Sequence, residues 1–206
     1  MKNDFPQFPR SDRDMLRERK ILGRAVNDAP YIVSPTIDGK QVLCPYFRVW
    51  RGMLDRCYSS CWARRRPDLA KNEVCDEWLH FMNFRDWMAA RKWRGRHLDK
   101  DILAAGRRLY SPETCAFVLP ATNRLMSAAH KDGTARGADF NMGRWRASYS
   151  GQLLGRFDTE EEAHWAWRAA RARALSEAAL RETDPRIPPA LLKHAAELIK
   201  QEKLDA

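Results

Sequence analysis

The sequence predicts an α+β fold. A central segment of two short strands feeding a helix, with helices flanking it, precedes a three-stranded antiparallel sheet backed by one helix. Three observations carry this. Tyr46, Val49, Trp50, Met53, Leu54 and Cys57 recur at three- and four-residue spacings, as on one face of a helix. Ala116-Phe117-Val118-Leu119 is a compact apolar run of strand type bounded by turn-forming residues. Residues 137–157 carry three short strand-like runs with turns at 141–143 and Ser150-Gly151, and Thr159 with Glu162 then makes a capping box that starts a helix.

Taken in order, residues 1–45 read as an arm, a basic helix and a hairpin. Pro6 and Pro9 break any helix in the arm, and Ser11-Asp12 cap a helix over 13–26 with Met15, Leu16, Leu22 and Val26 as its apolar stripe. Tyr31-Ile32-Val33 and Gln41-Val42-Leu43 flank the turn signature Asp38-Gly39. This section is either scaffold or an auxiliary DNA arm. Residues 46–130 form the central domain. Its first helix is followed by a loop over 59–67 carrying Arg64-Arg65-Arg66, then by a second helix over 73–92 that buries Val74, Trp78, Phe81, Phe84, Trp87 and Met88. A row of aromatics at helical spacing is most simply core. In residues 98–123 a short extended run reaches Asp99, Lys100 and Asp101, and Gly106 allows a turn. Ser111 to Thr114 form a second turn or a short helical start, and Thr122-Asn123 open a helix.

Residues 131–181 hold the three strands and their helix, which runs from 159 to about 180. Ala163, Ala166, Trp167, Ala170 and Ala174 form a small-residue face that lies closely on the sheet and leaves the other sheet face free. Residues 182–206 end the chain in a helix starting at Pro189, amphipathic through Leu191, Leu192, Ala195, Leu198 and Ile199. It either docks on the protein itself or pairs with a second copy as a homodimer.

The net charge of +10, from 37 Lys+Arg against 27 Asp+Glu, favours a polyanionic partner. Nucleic acid comes before an acidic membrane, because no long apolar segment is present. The opening residues have no charged-then-apolar signal pattern, so a cytoplasmic protein with reduced thiols is expected. Cys44, Cys57, Cys61, Cys75 and Cys115 are odd in number and lack a Cys-x-x-Cys pair, which favours buried free thiols. The alternative is a structural Zn²⁺ on Cys57, Cys61, Cys75 and Cys115.

Phosphodiester hydrolysis needs a base for water and a hard cation to neutralise phosphate charge. Carboxylate and amide oxygens suit Mg²⁺ or Mn²⁺, which makes Asp99, Asp101 and Asn123 candidate ligands. Lys100 can act as the base only if its pKa is depressed, whereas two flanking acids push it upward. His97, which strand alternation puts on the face of Asp99, is the other candidate base. Taken alone, the Asp-Lys-Asp triplet is more simply a solvated surface cluster. Arg64, Arg65 and Arg66 would hold the duplex backbone beside it.

Residues 98–123 resemble the ββα-metal, or HNH (His-Me finger), nuclease motif. The resemblance puts Asp99 in the first metal-ligand position, Lys100 where the general-base histidine belongs, and Asn123 in the helix-borne ligand position. A wider pattern is similar to a family of small phage-encoded HNH-endonuclease-like proteins and covers residues 46–126. It comprises Trp50, Met53, Arg56-Cys57-Tyr58, Val74-Cys75-Asp76-Glu77-Trp78, Phe81, Phe84, Trp87, Leu98-Asp99-Lys100-Asp101 and Tyr110-Ser111-Pro112-Glu113-Thr114-Cys115. A lysine between the two acids is a usual feature of that family.

Residues 136–175 resemble the APETALA-type (ethylene-response-factor) DNA-binding domain, through Gly143-Arg144-Trp145-Arg146-Ala147 and the run from Leu154-Gly155-Arg156-Phe157 to Ala163. This resemblance implies a sheet entering a major groove, with Arg136, Arg144, Arg146 and Arg156 reaching bases or phosphates and Trp145 packing beside them. Together the resemblances imply a metal-dependent, homing-type phage endonuclease acting on double-stranded DNA in the host cytoplasm. The alternative is a catalytically inactive DNA-binding phage protein that regulates or inhibits a host process through a host protein partner.

Overall fold

The structure, a computed structural model, describes residues 5–11, 20–127 and 137–200. They fall into two compact units, Met1–Phe117 and Val118–Ala206. Six α-helices and several small sheets among the described residues make the chain a mixed α+β protein.

In the first unit the hairpin β1 (Thr36–Ile37) and β2 (Lys40–Gln41) closes through Asp38 at φ 50° and Gly39 at φ 73°, a left-handed pair suited to a two-residue turn. The turn falls where the sequence puts it, but the strands are only two residues long, and Tyr31 bridges Pro9 instead. Residues 20–26, expected as the end of a helix, form a tight turn. Leu22 and Gly23 are left-handed there, and Ile21 bridges Ala25. The rest of that expected helix lies largely outside the described residues.

Helix α1 (Pro45–Tyr58) has Pro45 at its first position, where no backbone N–H is needed, and buries Tyr46, Trp50, Met53, Leu54 and Cys57 along one face. A break at Ser59 precedes a short helix, α2 (Ser60–Arg65), so the expected arginine loop is largely helical. The helix expected over 73–92 is three elements: β3 (Glu73–Val74), a 3₁₀ turn at Asp76–Leu79, and α3 (Phe81–Ala89). Long-range pairing overrides the helical period. Glu73 and Val74 pair in parallel with Leu109 and Tyr110, Cys75 N–H donates to the Tyr110 carbonyl, and Val74 N–H donates to the Tyr58 hydroxyl. The aromatic residues nevertheless make the core that their spacing predicts. Trp78, Phe81, Phe84 and Met88 are at most 1% exposed, and the Trp50 indole donates to the Trp78 carbonyl at 2.7 Å.

Three short strands follow: β4 (His97–Asp99), β5 (Leu109–Tyr110) and β6 (Ala116–Val118). β4 pairs with β6 and β5 with β3, so residues 97–110 do not close on themselves as a simple hairpin.

The first helix of the second unit is α4 (Pro120–Ser127). Glu182, 9% exposed, accepts from Leu119 N–H at 2.9 Å and from the Thr122 hydroxyl at 2.5 Å, while buried Arg171 donates to the Leu125 carbonyl at 2.6 Å. A carboxylate at the amino end and a guanidinium near the carboxyl end both suit the helix dipole. The sheet β7 (Ala138–Asn141), β8 (Arg144–Tyr149) and β9 (Gln152–Phe157) is antiparallel in that order. Helix α5 (Glu160–Ala179) starts on the expected capping box, in which Thr159 accepts from Glu162 N–H and the Glu162 carboxylate accepts from Thr159 N–H. α5 packs on the sheet over Ala147, which is fully buried, and stacks Trp167 edge-on against Tyr149 at 6.3 Å. Gly137, at φ 75°, lies so close to Trp167 that a Cβ there would come within 1.9 Å of the indole. Helix α6 (Ile187–Ile199) starts two residues before the expected Pro189 and packs on α5, burying Ile187, Leu191 and Ala195.

No helix among the described residues is long and apolar enough to cross a membrane.

Candidate functional site

The three-stranded sheet has one face on α5 and one face free of it, and its register sorts the side chains between them. Ala147, paired with Ala138 and Gly155, faces the helix, as do Trp145 and Tyr149 by alternation. Arg144, Arg146 and Ser148 therefore point to the outer face, where Arg146 stands between Asp139 and Arg156. Arg144, Arg146 and Arg156 thus share one surface. Arg146 forks onto Asp139 with contacts of 3.2 and 3.0 Å, Arg144 reaches Asp158 at 2.8 Å, and Arg156 donates to the Asn141 carbonyl at 3.4 Å. The two ion pairs are partly exposed, so water screens them and a phosphate can compete for the guanidinium groups. Trp145, expected beside these arginines, alternates to the opposite face and packs against Phe140 with ring centroids 5.3 Å apart. Arg136 lies outside the described residues.

In the first unit Asp99 ends β4 and turns the chain. Its Oδ1 accepts from the backbone N–H of Asp101 at 3.0 Å and of Ile102 at 2.9 Å, an arrangement in which the side chain substitutes for a backbone turn acceptor. Burial pushes the Asp99 carboxyl above the usual carboxylate range, and the neighbouring Asp101 charge acts the same way, against the two backbone bonds. Lys100 is 6% exposed, and its Nζ donates to Asp101 Oδ1 at 2.5 Å and to the Arg107 carbonyl at 3.1 Å. Its ammonium therefore braces the turn at residues 99–107 from inside. His97 is exposed at the start of β4, and Asp101 is exposed beyond the lysine. Asn123 lies on α4 in the second unit, its N–H bonded to the Leu119 carbonyl and its helix held by Glu182 and Arg171.

Several features of the first unit escaped the sequence. Tyr110 stands beside two cations, with the Arg56 guanidinium 5.7 Å and Lys100 Nζ 5.8 Å from its ring centre, and burial pushes its hydroxyl up to about 12. Arg56 and Tyr110 belong to the quoted family pattern, and Tyr110 is placed by the parallel pairing of β5 with β3, which no local pattern announces. Arg64 and Arg65 end α2 exposed, whereas Arg66 is forked onto Asp68 at 3.1 and 2.8 Å. That guanidinium holds the Asp68 carboxyl below the usual range. Cys44, Cys57 and Cys115 are buried free thiols, Cys75 is half-buried and Cys61 exposed. Burial pushes Cys57 up to about 11 and Cys115 up to about 12, which leaves both as unreactive thiols. Among the described residues no three His, Cys, Asp or Glu side chains are grouped as a metal site built from those residues requires.

No match to the chain was found among known protein-family models, curated proteins or solved structures.

Proposed function

We propose that the chain is a double-stranded DNA-binding protein whose carboxyl-terminal sheet lies on the duplex, and that its central segment is a ββα-metal-type endonuclease hydrolysing phosphodiester bonds with Mg²⁺ or Mn²⁺. The observation that carries the DNA-binding reading is the outer sheet face, where Arg144, Arg146 and Arg156 stand together opposite the face that α5 covers. Guanidinium forks match phosphate oxygens and guanine edges, and a chain of net charge +10 is drawn to a polyanion.

For the nuclease reading the support is the chain order of strand 97–99, strand 116–118 and helix 120–127, together with the donor chemistry of the Asp99 carboxylate. Oδ1 of Asp99 is occupied by two backbone N–H groups that orient the carboxylate, and its other oxygen is of the hard type that such a cation takes. Asp99 would hold the ion, Asp101 would add negative charge, and the ion would neutralise charge on the phosphate. Arg64 and Arg65 would steady the backbone. His97, exposed on the strand that ends at Asp99, is the better base, because the Lys100 amine is committed to Asp101 and the Arg107 carbonyl.

That commitment of Lys100 also favours a second reading, a DNA-binding phage-type regulator that binds without cutting. Incubation with supercoiled plasmid and Mg²⁺ or Mn²⁺ separates the two. Nicking that Asp99→Ala abolishes selects the nuclease, and tight binding with intact plasmid selects the regulator. Absence of binding to any duplex removes both.

A further inference from the structure

Four turns among the described residues put a non-glycine residue in the left-handed region just before a left-handed glycine: Leu22-Gly23, in a three-residue loop, and the two-residue turns Asp38-Gly39, Met142-Gly143 and Ser150-Gly151. The left-handed conformation crowds Cβ against the backbone, so short polar residues are preferred there and Asn-Gly is the favoured pair. Asp38 and Ser150 fit that preference. Leu22 does not, but its side chain is partly buried against the core of the first unit, which offsets the crowding. Met142 has the same strained backbone, at φ 52°, and no such compensation, because it is 86% exposed. A breach of local preference with no packing gain in the free protein points to a role in a complex.

The surroundings of Met142 say what kind of complex. Phe140, 62% exposed, lies two residues before it and, as the register partner of Trp145, belongs to the α5 side of the sheet, so Met142 itself is the apolar point at the turn. Beside this apolar tip are cations. Arg144 follows Gly143 directly, and Arg156 donates to the carbonyl of Asn141, the residue preceding Met142. An apolar point flanked by guanidinium groups is complementary to a base step flanked by phosphates, and methionine and phenylalanine are among the residues used to part stacked bases. Methionine is unbranched and polarisable and adapts to an irregular gap. Resting on the DNA-binding reading above, we infer that the β7–β8 turn is a wedge, with Met142 entering between base pairs of duplex DNA while Arg144 and Arg156 hold the phosphates on either side. The wedge kinks and unwinds the duplex at the point of entry, and flexible pyrimidine–purine steps yield to it most readily.

The test is Met142→Asn in the full-length protein, with Met142→Leu beside it. Asn is better suited than Met to the left-handed position, so the Asn variant should fold at least as stably, with an unfolding midpoint equal to or above that of the parent. Two readouts follow: binding to a short duplex with a random-sequence centre, and the change of linking number when closed circular plasmid is relaxed by topoisomerase in the presence of the protein. Met142→Asn is expected to weaken duplex binding about tenfold and to abolish the linking-number change, and Met142→Leu to preserve both. Parental binding and unwinding retained by the Asn variant would overturn the wedge while leaving DNA binding in place. Failure of the parent protein to bind any duplex would remove the DNA-binding reading and the wedge with it. Met142-dependent binding to anionic phosphatidylglycerol vesicles, with no effect on DNA, would assign the tip to a lipid surface and overturn the proposal.

Discussion

If the outer sheet face holds phosphates, removing its three arginines should change how DNA affinity depends on salt. Each phosphate neutralised by a cationic side chain contributes about 0.9 to the slope of log affinity against log salt concentration, so replacing Arg144, Arg146 and Arg156 by Ala lowers that slope by about 2.7. Over a fourfold rise in salt, one such contact accounts for a loss of about 3.5-fold and three for a loss of about 40-fold. The triple variant should therefore bind more weakly at low salt and lose less of its remaining affinity as salt rises. The fold should survive. The Arg146–Asp139 and Arg144–Asp158 pairs are partly exposed, each such pair contributes roughly 0–1 kcal/mol, and the capping box of α5 does not involve the arginines. Fluorescence anisotropy on a labelled duplex across a salt series measures the slope, and circular dichroism checks the fold. Arginines that read base edges and make no phosphate contact would lower affinity with little change of slope. A variant with the parental slope and parental affinity would refute the interface outright.

Four further outcomes follow from the geometry. Gly137→Ala puts a Cβ 1.9 Å from the Trp167 ring at a left-handed position, and should lower stability by about 2–4 kcal/mol in a urea titration. Asp99 has a carboxyl pKa raised by folding, so its proton binds more tightly in the folded chain. Its contribution to stability is full below the ordinary carboxylate range and is lost as pH rises through the raised value. Asp99→Asn keeps an oxygen for the N–H groups of Asp101 and Ile102 and should remove that part of the pH dependence, whereas Asp99→Ala should cost about 1–3 kcal/mol, both read as urea midpoints between about pH 4 and pH 7. Glu182→Ala leaves the Leu119 N–H and the Thr122 hydroxyl without their acceptor, and should cost about 2–3 kcal/mol and speed amide hydrogen exchange in α4. Lys100→Met strands the Arg107 carbonyl and should destabilise the first unit by about 1–3 kcal/mol in thermal unfolding, while Lys100→Arg, which keeps donors, should cost less.

The carboxyl-terminal module was legible almost residue by residue because its signals are local. Thr159 and Glu162 fix the start of α5 by hydrogen bonds three residues apart, and the turns Met142-Gly143 and Ser150-Gly151 fix the strand ends. Alternation then decides which side chains face the helix, although it also moves Trp145 away from the arginines with which it was grouped. The stretch from 73 to 92 went differently. Its apolar residues recur at helical intervals, yet Val74 is drawn into a parallel pair with Tyr110, more than thirty residues away in sequence. Parallel pairing leaves no local trace, since its hydrogen bonds join segments with a long crossover between them. Trp78, Phe81, Phe84 and Met88 reach the expected interior all the same, from a 3₁₀ turn and a shorter helix, while Trp87 is only partly buried against it.

The Asp-Lys-Asp triplet shows what a sequence pattern leaves undecided about chemistry. Read alone, it offers two acids for a cation and an amine for a proton. In three dimensions the three side chains have different tasks. Asp99 uses one oxygen to turn the backbone, Lys100 points inward to the Arg107 carbonyl and toward the ring of Tyr110, and Asp101 satisfies the lysine from the solvent side. A lysine in such a position cannot be exchanged for histidine without losing the brace, since an imidazole has neither its reach nor three donors. The lysine that departs from the nuclease motif therefore has a structural use, and under the nuclease reading the base must come from elsewhere. His97 is the residue this leaves. Its replacement by Ala should abolish metal-dependent nicking without touching the brace, whereas nicking that survives His97→Ala and fails in Lys100→Arg would return the proton to the lysine.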